Sequence, residues 1–307
     1  MKYRKLLYSV NGLATMELAK IFLTINVGDK IPTVTEFNEK IGAARGTIQN
    51  SIKLLQKEKA IVLESRGHLG TFLIEKSTQI LLEFSGITSI VGVMPLPYSK
   101  RYEGLATGLI MEMTNAYNLP VSLAYMRGAH NRVNMLLSDR YDYAIVSKYA
   151  ALEMKKRNIN IEIIKSFGDY SYLSHHVIVF HDLDKREIED GMKIGIDEDS
   201  VDQSELTMRL CQGKNVEFIP IEYSKVLEKT MNGEIDAAVW NEDEITDKLV
   251  KINYQQINMA QTTDTEAVLV VDASKKELSK LLLDMIDVDE VLYYQKLVLE
   301  GRLMPRY

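Results

Sequence analysis

Two arginines that flank a short glycine-containing segment are the residues whose types and spacing first suggest chemistry. Arg127 and Arg132 enclose Gly128-Ala129-His130-Asn131, at the point where a predicted strand gives way to a predicted helix. Free backbone N–H groups at a helix N-terminus and guanidinium groups both bind anions. The pattern therefore predicts an anion site at Arg127, Gly128 and Arg132. Surface salt bridges of the two arginines are the alternative.

A proline-rich loop after the first strand of this region supplies a second group of candidates. Met94-Pro95-Leu96-Pro97-Tyr98 is followed by Tyr102-Glu103-Gly104 at the start of a predicted helix. Because proline fixes its backbone angle φ, two prolines this close predict a rigid loop suited to a pocket wall. We therefore include Pro97, Tyr98, Tyr102 and Glu103 in the predicted ligand site. A simple strand-to-helix connection is the alternative.

The remaining predicted ligand residues lie at or next to the ends of other predicted strands. They are Ser147, Asp197, Ser200, Trp240, Asn241 and Glu266. Ser200 could bind a ligand or merely cap a helix, and capping is the safer interpretation. Trp240 is the only tryptophan of the chain, and it could stack on a ligand or belong to the core.

The elements that position these residues alternate between strand and helix from residue 86 onward. Apolar runs predict strands over 87–93, 121–126 and 141–147, with helices over 102–117 and 131–137 between them. This βαβαβ order predicts an α/β fold with a mostly parallel sheet and helices on both faces.

An internal repeat indicates two lobes. Residues 135–147 and 227–240 each contain a helix end, a turn and then Asp-x-Ala entering an apolar strand. Two α/β lobes of this kind resemble type 2 periplasmic binding proteins, in which the ligand lies between the lobes at the carboxyl ends of strands. The run 268–271 predicts a strand that returns to the first lobe.

Motifs for catalysis, metals and cofactors are missing from the sequence. His175 and His176 are adjacent on a predicted strand, so they point to opposite faces and cannot easily share a metal. There is no nucleophile elbow, phosphate-binding loop or Cys-x-x-Cys pair. The single cysteine, Cys211, excludes an internal disulfide. We predict no catalytic residue, metal or cofactor, although an enzyme of binding-protein-like fold and a ligand-free dimerisation module remain alternatives.

Residues 13–76 have a different pattern, in which three helices precede a tight hairpin. Thr15 is a candidate cap for the first helix, and Thr33 with Glu36 forms a capping box for the second. Gly42 ends the second helix, and the third covers about 45–59. Helix, turn, helix and hairpin in this order predict a winged helix-turn-helix that binds double-stranded DNA.

Polar residues on the outer side of the third helix and at the hairpin tip are the predicted DNA contacts. Amide side chains can reach base edges, and arginine and lysine can bind phosphates. An ordinary solvated helix face is the alternative. The predicted contacts are Thr33, Arg45, Thr47, Gln49, Asn50, Lys53, Arg66, His68 and Gly70.

This stretch resembles the GntR-type winged helix in three segments, namely Pro32-Thr33, Ala44-Arg45-Gly46-Thr47-Ile48-Gln49 and Gly67-His68-Leu69-Gly70-Thr71-Phe72. The resemblance implies that Thr33, Arg45, Thr47 and Gly70 contact DNA. Ala44 replaces a capping serine, which is typically worth ~1 kcal/mol. Gln49 stands where that family often has an arginine. Because glutamine pairs with adenine and arginine with guanine, the change favours adenine in the operator.

Charge separates the two parts of the chain. Residues 1–77 carry 12 Lys and Arg against 7 Asp and Glu, whereas the remainder carries 25 against 36. A basic part beside an acidic one is typical of a protein in which only the former meets phosphate. The single cysteine and the absence of a signal peptide or an apolar run of ~20 residues predict a cytoplasmic protein without a membrane partner.

We therefore predict a DNA-binding domain over 1–77 and an effector-binding and dimerisation domain over 86–307. The apolar residues 81–84 in the join predict packing against a partner subunit or the second domain. The protein is expected to bind a palindromic operator as a homodimer and to respond to a small anionic metabolite.

The second domain also resembles the YhfZ family of regulators. The resemblance rests on Met94-Pro95-Leu96-Pro97-Tyr98, Tyr102-Glu103-Gly104-Leu105-Ala106, Met126-Arg127-Gly128-Ala129, Val239-Trp240-Asn241 and Pro305-Arg306-Tyr307. It implies a winged helix joined to a binding-protein-like domain.

Overall fold

The computed structural model describes residues 9–117, 119–249, 251–257 and 263–307, which fold into two compact units. The first contains the chain up to Ile90 with Met113–Pro120 and Lys275–Met285. The second contains Val91–Glu112, Val121–Ser274 and Ile286–Tyr307. Among the described residues, no helix is long and apolar enough to cross a membrane.

The first unit contains a winged helix-turn-helix. Its elements are α1 (Val10–Thr24), α2 (Val34–Ile41), α3 (Arg45–Lys57), β1 (Ile61–Ser65), β2 (Thr71–Lys76) and α4 (Thr78–Ser85). Strands β1 and β2 pair antiparallel as the wing, and Lys30 forms an isolated bridge to Phe72 of β2. Side chains from all three leading helices, including Leu18, Phe37 and Leu55, are fully buried.

The helix ends follow the local sequence, with one exception. The Thr33 hydroxyl accepts from Glu36 N, the Glu36 carboxylate accepts from Thr33 N, and Gly42 ends α2 at φ 73°, so this capping box is confirmed. The prediction for Thr15 was wrong, because Ser9 caps α1. Thr15 is buried, and its hydroxyl donates to the Ser51 hydroxyl at 3.0 Å, which joins α1 to α3.

The join folds as a helix of the first unit. Helix α4 packs on α1 and buries Leu81 and Leu82. A later helix, α11 (Lys276–Met285), also packs on α1. The apolar residues of the join therefore cover α1, a surface that the sequence analysis did not consider.

The first lobe of the second unit is built on a five-stranded sheet of order β4-β3-β5-β12-β6. The strands are β3 (Ile90–Met94), β4 (Val121–Tyr125), β5 (Tyr143–Ser147), β6 (Ile161–Ser166) and β12 (Ala267–Asp272). The helices that accompany them in the chain are α5 (Lys100–Tyr117), α6 (Ala129–Leu137), α7 (Lys148–Lys156) and α12 (Val288–Leu299).

The second lobe is built on a five-stranded sheet of order β11-β7-β10-β8-β9. The strands are β7 (His176–Phe180), β8 (Lys193–Ile196), β9 (Glu217–Pro220), β10 (Ala237–Asn241) and β11 (Asn253–Gln256). The helices are α8 (Val201–Leu210), α9 (Val226–Met231) and α10 (Glu242–Asp247).

The repeated sequence pattern occupies equivalent places in the two lobes. Strands β5 and β10 are the central strands of their sheets, and every residue of both is buried. Each strand ends on a residue that caps the next helix: Ser147 accepts from Ala150 N, and Asn241 accepts from Asp243 N. The two-lobed α/β fold is therefore confirmed.

The strand directions differ from the mostly parallel sheet that we expected. Strand β5 is parallel to β3, and β10 is parallel to β8, but β12 and β7 run antiparallel to these central strands. The return of β12 to the first sheet is confirmed. The chain crosses from the first lobe to the second before β7 and returns before β12. Each sheet is mixed because the first strand after a crossing runs antiparallel to the central strand.

Candidate ligand-binding cavity and helix-turn-helix surface

A cavity of about 60 Å³ lies between the two lobes of the second unit. At ~10–15 Å³ for each water position, it has room for roughly four to six waters. Its lining is formed by Pro95, Leu96, Tyr98, Tyr102, Met126, Arg127, Gly128, Ala129, Arg132, Tyr172, Leu173, His176, Asp197, Ser200, Asp202 and Tyr223.

Strand ends and helix starts position this lining. The segments after β3, β4, β8 and β9 all contribute to it, as the two-lobed fold predicts. The first turns of α6 and α8 contribute Ala129 and Asp202. Gly128 precedes α6 at φ 79°, and a β-carbon there would lie 2.9 Å from the backbone oxygen of Asp199, so the close approach requires glycine.

Arg127 is held by acidic residues of the second lobe. Its Nη2 donates to Asp199 Oδ2 at 3.0 Å, and its Nη1 lies 3.8 Å from Asp197 and 3.6 Å from Glu222. Among the described residues, the buried Nη1 nevertheless has no hydrogen-bond partner. Arg127 therefore presents an unused donor at the cavity.

Arg132 organises the first lobe. The side chain is buried, with 3% of its surface exposed, and it donates to the backbone oxygens of Ile145 (3.0 Å) and Met126 (2.8 Å). Its Nη2 donates to the Tyr172 hydroxyl at 3.1 Å. Most of this guanidinium therefore holds the cavity wall in place.

Four tyrosines form an aromatic wall. The rings of Tyr98 and Tyr223 lie 6.1 Å apart, and those of Tyr102 and Tyr172 meet edge to face at 5.1 Å. Burial raises the pKa of each of these hydroxyls above its ordinary value. The tyrosines are therefore neutral near pH 7 and can donate as well as accept.

Asp202 brings a buried carboxylate to the cavity. Both of its oxygens lie 2.8 Å from the Ser147 hydroxyl, and burial raises its pKa to about 6. Nearby, His176 Nδ1 bonds to Asp264 at 2.8 Å. Burial alone would raise the pKa of Asp264, but the hydrogen bond and charge of His176 lower it below its ordinary value.

The structure brings together seven of the thirteen predicted ligand residues. They are Tyr98, Tyr102, Arg127, Gly128, Arg132, Asp197 and Ser200. Ser200 stands at the cap position of α8, but its side chain makes no capping bond. The safer interpretation, that Ser200 only caps the helix, is therefore not what the structure shows.

Trp240 and Asn241 lie outside the cavity lining. Trp240 is 2% exposed and packs in the core of the second lobe with Lys248 at 5.5 Å from its ring, because the side chain of this strand residue points into the lobe. Asn241 is fully buried and caps α10. The structure thus supports the core alternative for Trp240.

Four other predicted residues also lie outside the lining because each is committed to a different contact. Glu103 accepts from the Tyr307 hydroxyl at 2.9 Å. Glu266 pairs with Lys148 at 2.8 Å and accepts from Ser166. Ser147 bonds to Asp202 behind the lining. Pro97 sits in a turn closed by Tyr98 N and Leu96 O at 2.8 Å.

Sequence reasoning missed several lining residues that carry polar groups. His176 was considered only as a metal ligand, and Asp202 was not among the predicted ligand residues. Tyr172 lies between β6 and β7, where no periodic pattern indicates its position. Asp202 could have been found from its spacing, since it follows Ser200 on the first turn of the same helix.

The predicted DNA contacts lie at the start of α2, in α3 and in the wing, and most of them are exposed. Arg45, Gln49, Asn50 and Lys53 are exposed on α3, and Thr47 is half-buried. Thr33 is exposed at the start of α2, and Ala44 makes no side-chain cap for α3. In the wing, His68 is exposed and Gly70 has φ 102°.

Arg66 of the wing is already paired. Its Nη2 lies 2.7 Å from Glu64 Oε2, and its guanidinium stacks 4.5 Å from the centre of the Phe72 ring. Both side chains of the ion pair are about half exposed, so the pair contributes little to stability. It holds the Arg66 guanidinium against the hairpin.

Comparisons with known proteins agree with this architecture. The family model described as the YhfZ C-terminal domain matches residues 77–307, and a helix-turn-helix domain model matches residues 26–73. The chain belongs to the YhfZ family. A full-length relative, the uncharacterized protein YhfZ of Escherichia coli strain K12, is 30% identical over 310 residues, covering 99% of this chain and 100% of the relative.

Solved structures show the same fold. The crystal structure of YhfZ from Shigella flexneri has a TM-score of 0.61 at 31% identity and covers 75% of this chain and 97% of its own. The periplasmic aliphatic sulphonate binding protein SsuA from Escherichia coli has a TM-score of 0.53 at 10% identity, covering 70% and 74%. The chain thus combines a helix-turn-helix domain with a fold like that of periplasmic binding proteins.

Proposed function

We propose that this protein is a transcriptional regulator that binds operator DNA as a homodimer and responds to a small effector carrying an anionic group. The observation that carries the proposal is the interlobe cavity, where Arg127 and the N-termini of α6 and α8 converge. Unpaired backbone N–H groups and the helix dipole both favour negative charge at such a position.

The unused donor of Arg127 supports the anionic group. Nη1 is buried but has no hydrogen-bond partner among the described residues, and a buried donor without a partner costs about 1–3 kcal/mol. An effector oxygen bonded to Nη1 would remove that cost. Arg132 would act on the effector mainly through its charge, since its N–H groups already bind Ile145, Met126 and Tyr172.

The DNA contacts are proposed to be of the GntR type. Arg45, Thr47, Gln49, Asn50 and Lys53 would meet the major groove and its phosphates from α3. The start of α2 at Thr33 and the wing at Arg66, His68 and Gly70 would contact the backbone.

The units are connected in a way that supports coupling between effector and DNA. The chain passes between them at five points, and Lys275–Met285, which contains α11, returns to the first unit and packs on α1. A change in lobe closure would therefore be transmitted through several chain connections. Coupling of this kind is typically worth ~1–3 kcal/mol.

We further propose that the protein is not an enzyme. Within the described residues, the His176 imidazole bonds to Asp264, and neither a hydroxyl nor a thiol bonds to it as an activated nucleophile would. Turnover of a cavity ligand by the full-length chain would contradict this part of the proposal.

Two measurements test the function. A mobility-shift assay with the chain's own promoter region should show salt-sensitive binding of the full-length protein. Isothermal titration of the effector identified by a thermal-shift screen should show an affinity at least tenfold lower for Arg127→Ala. Absence of DNA retention would overturn the regulator, and unchanged effector affinity would remove Arg127 from the site.

A further inference from the structure

A second charged group of the cavity is incompletely paired. Asp202 stands on the first turn of α8, lines the cavity and is 7% exposed. Its two carboxylate oxygens share the hydroxyl of Ser147, each at 2.8 Å. One hydroxyl supplies one proton, whereas a carboxylate can accept about four hydrogen bonds. Most of the hydrogen bonds that the Asp202 carboxylate could accept are therefore not formed.

The basic side chains near Asp202 are engaged elsewhere. His176 bonds to Asp264, Arg132 donates to Ile145, Met126 and Tyr172, and no lysine of the described residues lines the cavity. The N-terminus of α8 favours the ionised form. Even so, burial outweighs these contributions and raises the pKa of Asp202. A cation that donates hydrogen bonds would relieve this cost.

The aromatic wall suits the same kind of group. The rings of Tyr98, Tyr102, Tyr172 and Tyr223 surround the cavity together with Asp202. Aromatic faces attract cations, and the attraction increases when the cation is removed from water.

We propose that the effector is a zwitterion whose protonated amino group donates to Asp202 while its acidic group accepts from Arg127. This inference rests on the proposed function, because it takes the interlobe cavity as the effector site. Arg127, although ion-paired with Asp199, and Asp202 both line the cavity, and a volume of about 60 Å³ admits only a few heavy atoms beyond an acidic and an amino group. The ligand class is a small amino acid or a related short amine-bearing acid.

Matched ligands test the amino group separately from the acid. The full-length protein is titrated with the twenty common amino acids and with short ω-amino acids, each beside the acid that lacks its amino group. Thermal shift identifies binders, and calorimetry gives their affinities. We expect at least one amino acid to bind ten times or more tightly than its amine-free partner.

Two variants assign the preference to Asp202. Asp202→Asn keeps the shape of the side chain and removes its charge, and it should reduce the preference to less than threefold. Asp184→Asn, an exposed aspartate of the second unit, is the matched control and should preserve the preference. A preference that survives Asp202→Asn would overturn the assignment.

The outcomes separate this inference from the function on which it rests. Equal binding of amino acids and amine-free acids, with loss of both in Arg127→Ala, would overturn the zwitterion and support the anionic effector. Binding of simple amines without an acidic group would overturn both. Failure of every amino acid and every amine-free acid to bind would overturn the zwitterion, whereas the anionic effector is tested by the thermal-shift screen with other acidic metabolites.

Discussion

Ser147 and Asp202 hydrogen-bond at 2.8 Å although they come from different lobes and lie 55 residues apart in the chain. Ser147 ends the central strand β5 of the first lobe, and Asp202 stands on the first turn of α8 in the second. The same hydroxyl accepts from Ala150 N and so caps α7. One side chain thus links the helix start of one lobe to a buried charge of the other.

The charge of Asp202 makes stability depend on pH. Its pKa is about 6 in the folded protein, against an ordinary value of 3.8, so folding favours the protonated form. The stability that this group contributes is therefore present below pH 4 and is lost as pH rises through 6. Arg132, His176 and Asp264 are the charged groups that face it. Asp264 contributes with the opposite sign, and at lower pH.

We expect Asp202→Asn to stabilise the ligand-free protein at pH 7.5 by on the order of 1–3 kcal/mol, because the variant removes an unfavourable buried charge. The gain should shrink as pH falls from 6 to 4 and disappear below about pH 3, where Asp202 is protonated in both the folded and the unfolded state. Urea unfolding at several pH values measures this difference. The exposed control Asp184→Asn should match the wild type throughout, and a gain independent of pH would contradict the explanation.

Glu244 should make stability depend on pH in the same direction as Asp202, but over a higher pH range. Burial raises its pKa to about 7, although a hydrogen bond and ion pair with Lys248 act against the rise. Glu244→Gln is therefore expected to stabilise the ligand-free protein at pH 8 by ~1–2 kcal/mol, and by progressively less down to pH 5. Urea unfolding across this range tests the prediction, with the half-exposed Glu205→Gln as control. Destabilisation at pH 8 would show that the Lys248 pair outweighs burial.

Removing the Ser147 hydroxyl should be costly. Ser147→Ala deletes the cap of α7 and the hydrogen bond to Asp202, and each loss is worth roughly 0.5–2 kcal/mol. We expect a total destabilisation of about 1–3 kcal/mol by urea unfolding. Ser138→Ala removes an exposed hydroxyl at the end of α6 and should cost less than about 0.5 kcal/mol. Equal effects of the two substitutions would contradict the view that Ser147 both caps α7 and stabilises Asp202.

The residues of this network explain why the fold was more predictable than the site. The Asp-x-Ala repeat placed β5 and β10, because a buried central strand requires continuous apolar residues whatever its partners are. Capping chemistry is equally local, so Thr33, Glu36 and Gly42 were interpreted correctly. The order of the strands in each sheet depends on contacts between distant segments. The hydrophobic periodicity of β7 and β12 does not indicate that these strands run antiparallel to their neighbours.

The cavity lining depended on contacts between distant segments. Arg127 and Asp197 could be found at strand ends, but nothing near Asp202 in sequence indicates that Ser147 would meet it. Trp240 was misleading because a residue at a strand's carboxyl end can point into the lobe as well as towards the cleft. Tyr172 could not be found at all, since it lies in a segment between lobes without periodic structure.

Helix capping in the first unit offers two substitutions with opposite effects. Thr33→Ala removes the hydroxyl that accepts from Glu36 N, while the Thr33 backbone N–H that donates to Glu36 remains, and the change should destabilise the first unit by about 0.5–2 kcal/mol. Ala44 has the extended backbone of a cap residue but no capping side chain, so Ala44→Ser should stabilise α3 by ~0.5–1 kcal/mol. Hydrogen exchange of the α2 and α3 amides measures both. Effects of the same sign would contradict the capping explanation.

The salt dependence of DNA binding tests the role of α3 without knowledge of the operator. Lys53 is exposed on α3 and is proposed to neutralise one phosphate, so Lys53→Gln should lower the slope of log affinity against log salt by about 0.9 per bound subunit. Fluorescence anisotropy with a mixed-sequence duplex of roughly thirty base pairs, between 50 and 200 mM salt, gives the slope. Lys214→Gln removes an exposed lysine of the second unit and should leave it unchanged. Equal slopes for Lys53→Gln and the wild type would place Lys53 away from the phosphate backbone.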